Sequence, residues 1–226
     1  MTLSFDRVSV QLGERLALRE VTVDLDARRV AVIGANGSGK STFARLLNGL
    51  VTATEGHVLV HGIDPAKQQS AARRAVGFVF SNPDAQIIMP TVEEDLAFSL
   101  RGRGLSTAEI GAQVAVALER FGLVDLAAER CFELSSGQKQ LLAVAAVLIA
   151  SPSVVVADEP TALLDAENSR LIRRFLIDEL SQQLVLVTHD LSLADRCDVA
   201  VRFADGRLVD SGPASTVVAR YRAEVA

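Results

Sequence analysis

The segment from Gly34 to Thr42 has the residue types and spacing needed to hold a polyphosphate, since it fits the pattern G-x-x-x-x-G-K-[ST]. In such a loop the backbone N–H groups point at phosphate oxygens, and a following helix N-terminus adds a favourable dipole. We expect Lys40 to reach the β- and γ-phosphates and the Ser41 hydroxyl to ligate Mg²⁺. The expected nucleotide-binding residues are Gly34, Ala35, Asn36, Gly37, Ser38, Gly39, Lys40, Ser41 and Thr42.

The position of this loop favours the binding of a nucleoside triphosphate over a chance glycine-rich turn. The apolar run Val30–Ile33 predicts a buried strand before the loop, and residues 43–48 predict a helix after it that ends at Gly49. This strand–loop–helix order is the context in which the motif binds a nucleoside triphosphate. The motif alone does not say how the energy is used.

Two acidic residues, Asp158 and Glu159, follow the apolar run Val154–Ala157. A strand beside the phosphate-loop strand would deliver Asp158 to the Mg²⁺ site. Glu159 would then lie near the γ-phosphate, where it could orient and deprotonate an attacking water. Two acids at a strand end are common in isolation, but together with the phosphate loop they favour catalysis.

A histidine, His189, follows another apolar run, Leu184–Val187. Ligands bind beyond the carboxyl ends of parallel strands, so His189 is expected at the same sheet edge as Asp158. There it would hydrogen-bond the γ-phosphate and the catalytic water. The alternative is a structural histidine, which is the usual role of a lone histidine after a strand.

The segment Ser135, Ser136, Gly137 and Gln138 opens a long apolar helix. The Ser135 side chain can cap that helix, and its N-terminus together with Gly137 can hold an anion. The segment is therefore either a second phosphate site or a well-capped helix, and spacing does not decide between them.

The elements that must position these residues fall into three regions. Residues 2–12 and 16–25 predict two antiparallel strands joined by a turn at Gly13 and Glu14, and residues 82–150 predict a helical insert. The last region alternates strand and helix, as parallel sheets do. We therefore expect an α/β fold in a single domain, 1–226, with an N-terminal antiparallel β portion.

Composition limits the partners of the chain. A net charge of −5 over 226 residues argues against nucleic-acid binding. The longest apolar stretch, Leu141–Ala150, is shorter than the ~20 residues of a bilayer span, and the N-terminus lacks a signal-peptide pattern. We expect a cytosolic protein whose membrane role depends on a partner, with Cys131 and Cys197 as reduced, buried thiols.

With these motifs in order, the chain resembles an ABC-type ATPase subunit over nearly its whole length. Residues 34–42 resemble Walker A, 154–159 Walker B, 134–138 the signature sequence, 162–165 the D-loop with Asp165, and His189 the switch histidine. The resemblance implies a P-loop ABC ATPase fold with a helical subdomain. It also implies a head-to-tail dimer that holds two ATP molecules between Walker A of one subunit and the signature helix of the other, and a membrane partner driven by hydrolysis.

A narrower resemblance is to the ATPases of energy-coupling factor (ECF) transporters, which import vitamins, cobalt or nickel. It is carried by residues 76–86 and 91–98, in which Gln86 fits the second glutamine of that group. A compact ATPase of this kind is similar to the one that powers biotin uptake. The resemblance then implies a transmembrane coupling subunit, a separate substrate-binding membrane subunit, and a position on the cytoplasmic face of the cell membrane.

Several positions depart from the family pattern. Ser81 stands where the Q-loop glutamine is usual, Leu12 where an aromatic residue stacks on adenine, and Ser136 where the signature has glycine. Leu141 replaces the common arginine after Gln140, and the D-loop has Leu164 and Ala166 around Asp165. The resemblance therefore predicts adenine bound on an aliphatic surface and slow but real ATP hydrolysis. Glu159 and His189 are intact.

Three alternatives stay open. One is a non-transport ABC protein, which the single cassette and acidic balance disfavour. Another is an importer ATPase for a different cargo, such as cobalt, nickel, an amino acid or a different vitamin. The third is a catalytically weak member of a heterodimer, which the changes at Ser81 and Ser136 motivate.

Overall fold

A central sheet of mainly parallel strands and a smaller antiparallel sheet form the framework of the protein. The computed structural model describes residues 2–162 and 164–225. Within them the strands are β1 (Leu3–Leu12), β2 (Arg15–Leu25), β3 (Arg29–Gly34), β4 (Glu55–Val60), β5 (Val76–Val79), β6 (Val154–Asp158), β7 (Gln183–Val187), β8 (Val199–Ala204) and β9 (Arg207–Pro213). The α/β class with an N-terminal antiparallel sheet is thereby confirmed.

The central sheet has the strand order β5-β6-β7-β3-β8-β9, and only its β8–β9 pair is antiparallel. This order corrects one expectation, because β6 is not beside β3. The strand β7 pairs with both, so it separates the phosphate-loop strand from the strand that carries Asp158. All three strands nevertheless end at one edge of the sheet, because they run parallel.

Both faces of the central sheet are covered, which explains the uninterrupted apolar strands. In β3, Val30 and Val32 pack with the N-terminal sheet, in which β1 lies between β2 and β4. Ala31 and Ile33 point to the opposite face and pack with the helices. The sheet edge at the end of β3 is therefore held rigidly from both sides.

The helices begin and end largely where the capping residues predict. They are α1 (Lys40–Leu46), α2 (Gln69–Ala75), α3 (Val92–Ser99), α4 (Thr107–Phe121), α5 (Ser136–Ile149), α6 (Ala166–Arg173), α7 (Leu191–Ala194) and α8 (Ala214–Val225). Ser106 and Ser135 each form a capping box, and Gly122 ends α4 in the left-handed conformation. Each helix of the described residues is too short or too polar to cross a membrane.

Two helix ends differ from the sequence prediction. The helix α1 ends at Leu46, before the expected Gly49, which instead occupies a turn at φ 73°. The helix expected over residues 168–180 is α-helical only to Arg173 and continues as a π-helical turn, Arg174–Glu179. Helix patterns locate such segments but do not reveal where the hydrogen-bonding pattern changes.

The helices α3, α4 and α5 pack against one another and lie inside the expected insert, 82–150. Their connection to the rest of the molecule includes Phe121 of α4, whose ring lies 4.4 Å from that of Phe175. The grouping of all 226 residues into a single domain stays a prediction.

Candidate functional site

The phosphate loop lies between the end of β3 and the start of α1, and its glycines are required by its shape. Gly34 and Gly39 have φ angles of 140° and 108°. A Cβ atom at Gly34 would lie 2.2 Å from the carbonyl oxygen of Phe203, and one at Gly39 would lie 2.8 Å from that of Ala17. The backbone of the loop can therefore approach its neighbours only without side chains at these positions.

Lys40 is buried inside the loop, and its ammonium group faces the loop backbone. It donates hydrogen bonds to the carbonyl oxygens of Gly34 (2.8 Å) and Ala35 (2.9 Å). Burial lowers the pKa of Lys40, while the nearby carboxylates of Glu159 and Asp158 oppose that shift. An ammonium carries three N–H donors, so this geometry suits a cation that holds an anion against the loop.

The side chains of Ser41 and Asp158 meet although 117 residues separate them in sequence. The Ser41 hydroxyl donates to Oδ1 of Asp158 across 3.0 Å. Asp158 is buried, and burial raises the pKa of its carboxyl against the hydrogen bond from Ser41 and the charges of Arg45 and Lys40. The end of β6 thus brings a carboxylate to the first turn of α1 even though β7 lies between β6 and β3.

Glu159 and His189 are in direct contact at the same edge. The Nδ1 atom of His189 lies 2.8 Å from Oε2 of Glu159. Glu159 has a positive φ of 52°, which is uncommon outside glycine, and its N–H donates to the carbonyl of Val187. Such strained backbone concentrates at functional sites, and Glu159 lines the cavity at the phosphate loop.

A cavity of about 220 Å³ joins these groups, since Glu159 lines it together with Lys40 and Ser41. The structure therefore brings the phosphate loop and Glu159 together at one cavity. Asp158 joins this group through its contact with Ser41, and His189 joins it through its contact with Glu159. Two hairpin residues, Leu12 and Arg15, line the same cavity. The sequence analysis assigned no role to Arg15, which pairs with Leu12 directly across the hairpin turn.

The signature segment lies elsewhere. Among the described residues that line the loop cavity, none belongs to residues 135–138. The segment forms the N-terminus of α5, where Ser135 accepts from the N–H of Gln138 and Gln138 accepts from that of Ser135. Ser136 instead lines a separate cavity of about 230 Å³ with Ser81.

Asp165 caps α6, and the start of that helix lies next to the signature segment. Its carboxylate accepts from the N–H of Asn168 at 2.8 Å and from the Asn168 side chain at 2.9 Å. A Cβ atom at Gly137 would lie 2.2 Å from Nδ2 of Asn168, so the two helix starts are in contact. Of the expected D-loop residues 162–165, Leu163 lies outside the described residues.

The segment after β5 is fastened to α5 by two glutamines. Gln86 accepts from the N–H of Phe80 and donates to the carbonyl of Ala143. Gln140, which is almost fully buried, donates to the carbonyl of Phe80 at 3.1 Å. These bonds fix the position of the neighbouring Ser81, and sequence reasoning gave no role to Gln140.

Comparison with known proteins shows the family of this chain. A family model described as ABC transporter matches residues 18–162. The biotin transport ATP-binding protein BioM of Rhizobium etli is 44% identical over 222 residues, which cover 98% of each chain. The energy-coupling factor transporter ATP-binding protein EcfA1 of Symbiobacterium thermophilum is 44% identical over 215 residues, covering 91% of this chain and 74% of that protein.

A solved structure gives the same fold. CbiO1 of Clostridium perfringens, part of the ABC transporter complex CbiONQ, superposes with a TM-score of 0.85 at 29% identity over 98% of this chain and 92% of that one. The matching family model, these relatives and the site at the sheet edge lead to one conclusion. The chain belongs to the ABC transporter family, as an ATP-binding subunit that hydrolyses ATP.

Proposed function

We propose that this ATPase energises an importer of the ECF type and that the cargo of the importer is biotin. The observation that carries the proposal is the 44% identity to a biotin transport ATP-binding protein over 98% of both chains. A second biotin transport ATP-binding protein, from Rhodobacter capsulatus, is 39% identical over 89% of this chain and 86% of its own length.

In the proposed mechanism, Gly34 to Thr42 hold the phosphates of ATP and Lys40 neutralises their charge. Glu159 acts as the general base toward the attacking water, and His189 orients the Glu159 carboxylate and contacts the γ-phosphate. The 2.8 Å contact between His189 and Glu159 supports this division of roles. So does the burial of Lys40 beside Glu159, because a desolvated charge interacts more strongly with phosphate.

The donor set at the sheet edge fits Mg²⁺. The Ser41 hydroxyl and the Asp158 carboxylate supply the oxygen ligands that this ion takes, and Mg²⁺ commonly binds through one or two protein groups together with substrate phosphates and waters. Within the described part of the chain, no three His, Cys, Asp or Glu side chains group as a metal site, which agrees with so small a protein contribution. When bound, the ion neutralises charge on the phosphates.

The active unit in this proposal is a dimer of two ATPase chains, with a homodimer preferred over a heterodimer. In it, Ser135 to Gln138 of one subunit complete the site at the phosphate loop of the other. The cavity at the loop, about 220 Å³, is below the roughly 300–1,000 Å³ of sites that enclose a small molecule. A solved ATP-binding cassette that is 28% identical, with a TM-score of 0.82, is a dimer bound to ADP and phosphate.

The remaining partners are a transmembrane coupling subunit and a substrate-binding membrane subunit, which would hold this chain at the cytoplasmic face of the membrane. The relative CbiO1 is part of a transporter complex, which supports a membrane assembly. Nucleic acid is not a proposed partner, given the net charge of −5.

The test is uptake of labelled biotin by cells that lack their own biotin uptake and express this chain with the membrane proteins that co-purify with it. We expect uptake with the wild-type chain and its loss with Glu159→Gln. Glu167→Gln, an exposed glutamate at the start of α6, is the matched control and should retain uptake. Energised uptake of cobalt, nickel or another vitamin, with none of biotin, would overturn the cargo assignment.

A further inference from the structure

One wall of the loop cavity is built by the β1–β2 hairpin. Leu12 and Arg15 are directly paired across its two-residue turn, so their side chains lie on the same face of the hairpin. Ala17, which is buried, lies at a register shift of the hairpin, between the paired residues Leu16 and Leu18. These three hairpin residues line the cavity together with the phosphate loop.

This wall lacks the flat ring that usually carries a purine. None of the described residues that line the cavity is aromatic, and Leu12, at 47% exposure, presents an aliphatic surface. The chain contains no tryptophan and a single tyrosine, Tyr221, which belongs to α8. The only planar side chain that the hairpin brings to the cavity, within the described residues, is the guanidinium of Arg15.

The Arg15 guanidinium is held in place by the phosphate loop itself. Its Nη2 donates to the carbonyl oxygen of Gly37, across 22 residues of sequence. Because a guanidinium has five N–H donors and two open faces, a single bond fixes its position without covering its plane. Arginine planes stack on nucleobases and on other aromatic rings, where they also contribute a cation–π attraction.

We infer that Arg15, together with Leu12, forms the stacking platform for the purine base of the bound nucleotide. Leu12 makes apolar contact with the base, and the planar guanidinium of Arg15 stacks on it. Together the two side chains replace a single aromatic ring. A guanidinium plane stacks on any purine, and so Arg15 should strengthen ATP and GTP binding alike. The inference rests on nucleotide binding and is independent of the cargo of the importer.

The experiment compares the Kd of ATP, GTP and inorganic tripolyphosphate, each with Mg²⁺, for the purified chain. Arg15→Ala should weaken ATP and GTP binding about tenfold and leave tripolyphosphate binding unchanged. Arg15→Trp restores a planar surface without charge and should bind ATP about as tightly as the wild type. Arg19→Ala is the matched control, because Arg19 is an exposed arginine of the same strand that lines a different cavity.

Three results would overturn the inference. Equal weakening of ATP and tripolyphosphate by Arg15→Ala would mean that Arg15 acts on the phosphates or on the shape of the loop. Unchanged ATP affinity would mean that it contributes nothing. Binding by Arg15→Trp as weak as by Arg15→Ala would mean that charge, and not stacking, carries the contact. Tripolyphosphate binding also reports that each variant is folded, and none of these readouts depends on biotin uptake.

Discussion

The imidazole of His189 and the carboxylate of Glu159 are in contact at 2.8 Å although they follow different strands, β7 and β6. The N–H of Glu159 is bonded to Val187, the last residue of β7. Both residues are therefore held at the end of β7, His189 by the chain and Glu159 by a backbone hydrogen bond. The contact fixes the direction of the Glu159 carboxylate at the cavity that Lys40 and Ser41 also line.

The first prediction concerns Glu159 as the general base. Glu159→Gln keeps the shape of the side chain but removes its basicity, so ATP binding should persist while turnover falls at least about 10²-fold. Phosphate release and nucleotide affinity measure the two effects separately. Glu167→Gln should change neither quantity, and unchanged turnover in Glu159→Gln would rule out the assigned role.

The second prediction concerns the coupling of the pair. His189→Ala should lower turnover about 10- to 100-fold, because the carboxylate loses the partner that orients it. The double variant Glu159→Gln, His189→Ala should be no slower than Glu159→Gln alone, since residues that act as a unit are not additive. His57→Ala, at an exposed histidine of β4, serves as the control. Additive losses in the double variant would show that the two residues act independently.

Much of the site could be predicted from sequence because its chemistry is local. The glycine spacing of residues 34–42 is recognisable within a segment of fewer than ten residues. The same holds for the two acids that end an apolar strand, Asp158 and Glu159. The strand order β6-β7-β3 cannot be predicted in this way, because it joins β3 to strands that lie far from it in the sequence. That is why Asp158 was expected on a strand next to the loop strand.

The contacts that sequence reasoning missed join distant segments. Arg15 reaches Gly37 across 22 residues, and Lys139 pairs with Asp84 at 2.7 Å across 55. The residues next to a surface arginine or lysine do not show which distant group its side chain will contact. The sequence prediction also missed the change from α- to π-helix at Arg174, in a segment where Phe175 and Leu176 are buried.

The third prediction follows from the two buried thiols. Burial raises the pKa of Cys131 to about 11 and that of Cys197 to about 12, from an ordinary value of 9.0. At pH 8.5 both thiols should resist iodoacetamide in the native protein and react once it is unfolded in denaturant, because alkylation requires the thiolate. Rapid labelling of Cys197 in the native protein at that pH would contradict its burial.

The same shifts set the sign of a stability change at alkaline pH. Well below pH 9.0 both thiols are almost fully protonated in the folded and unfolded chains, so they add no pH dependence there. As pH rises from 9.0 toward 11 and 12, only the unfolded chain releases these protons, and the free energy of unfolding should fall. Cys197→Ala should lose less stability over this interval than the wild type, as measured by urea unfolding.

The last prediction compares two glycines that receive the same methyl group. In Gly34→Ala the new Cβ would meet the carbonyl of Phe203 at 2.2 Å with φ at 140°, so unfolding should become easier by about 2 kcal/mol or more. Gly111 is exposed inside α4 with open space around it, so Gly111→Ala should stabilise the protein by about 0.5–1 kcal/mol. Denaturant unfolding without nucleotide measures both changes. Equal effects of the two substitutions would mean that the loop tolerates a side chain at Gly34, and the close backbone approach at the end of β3 would then not explain the glycine.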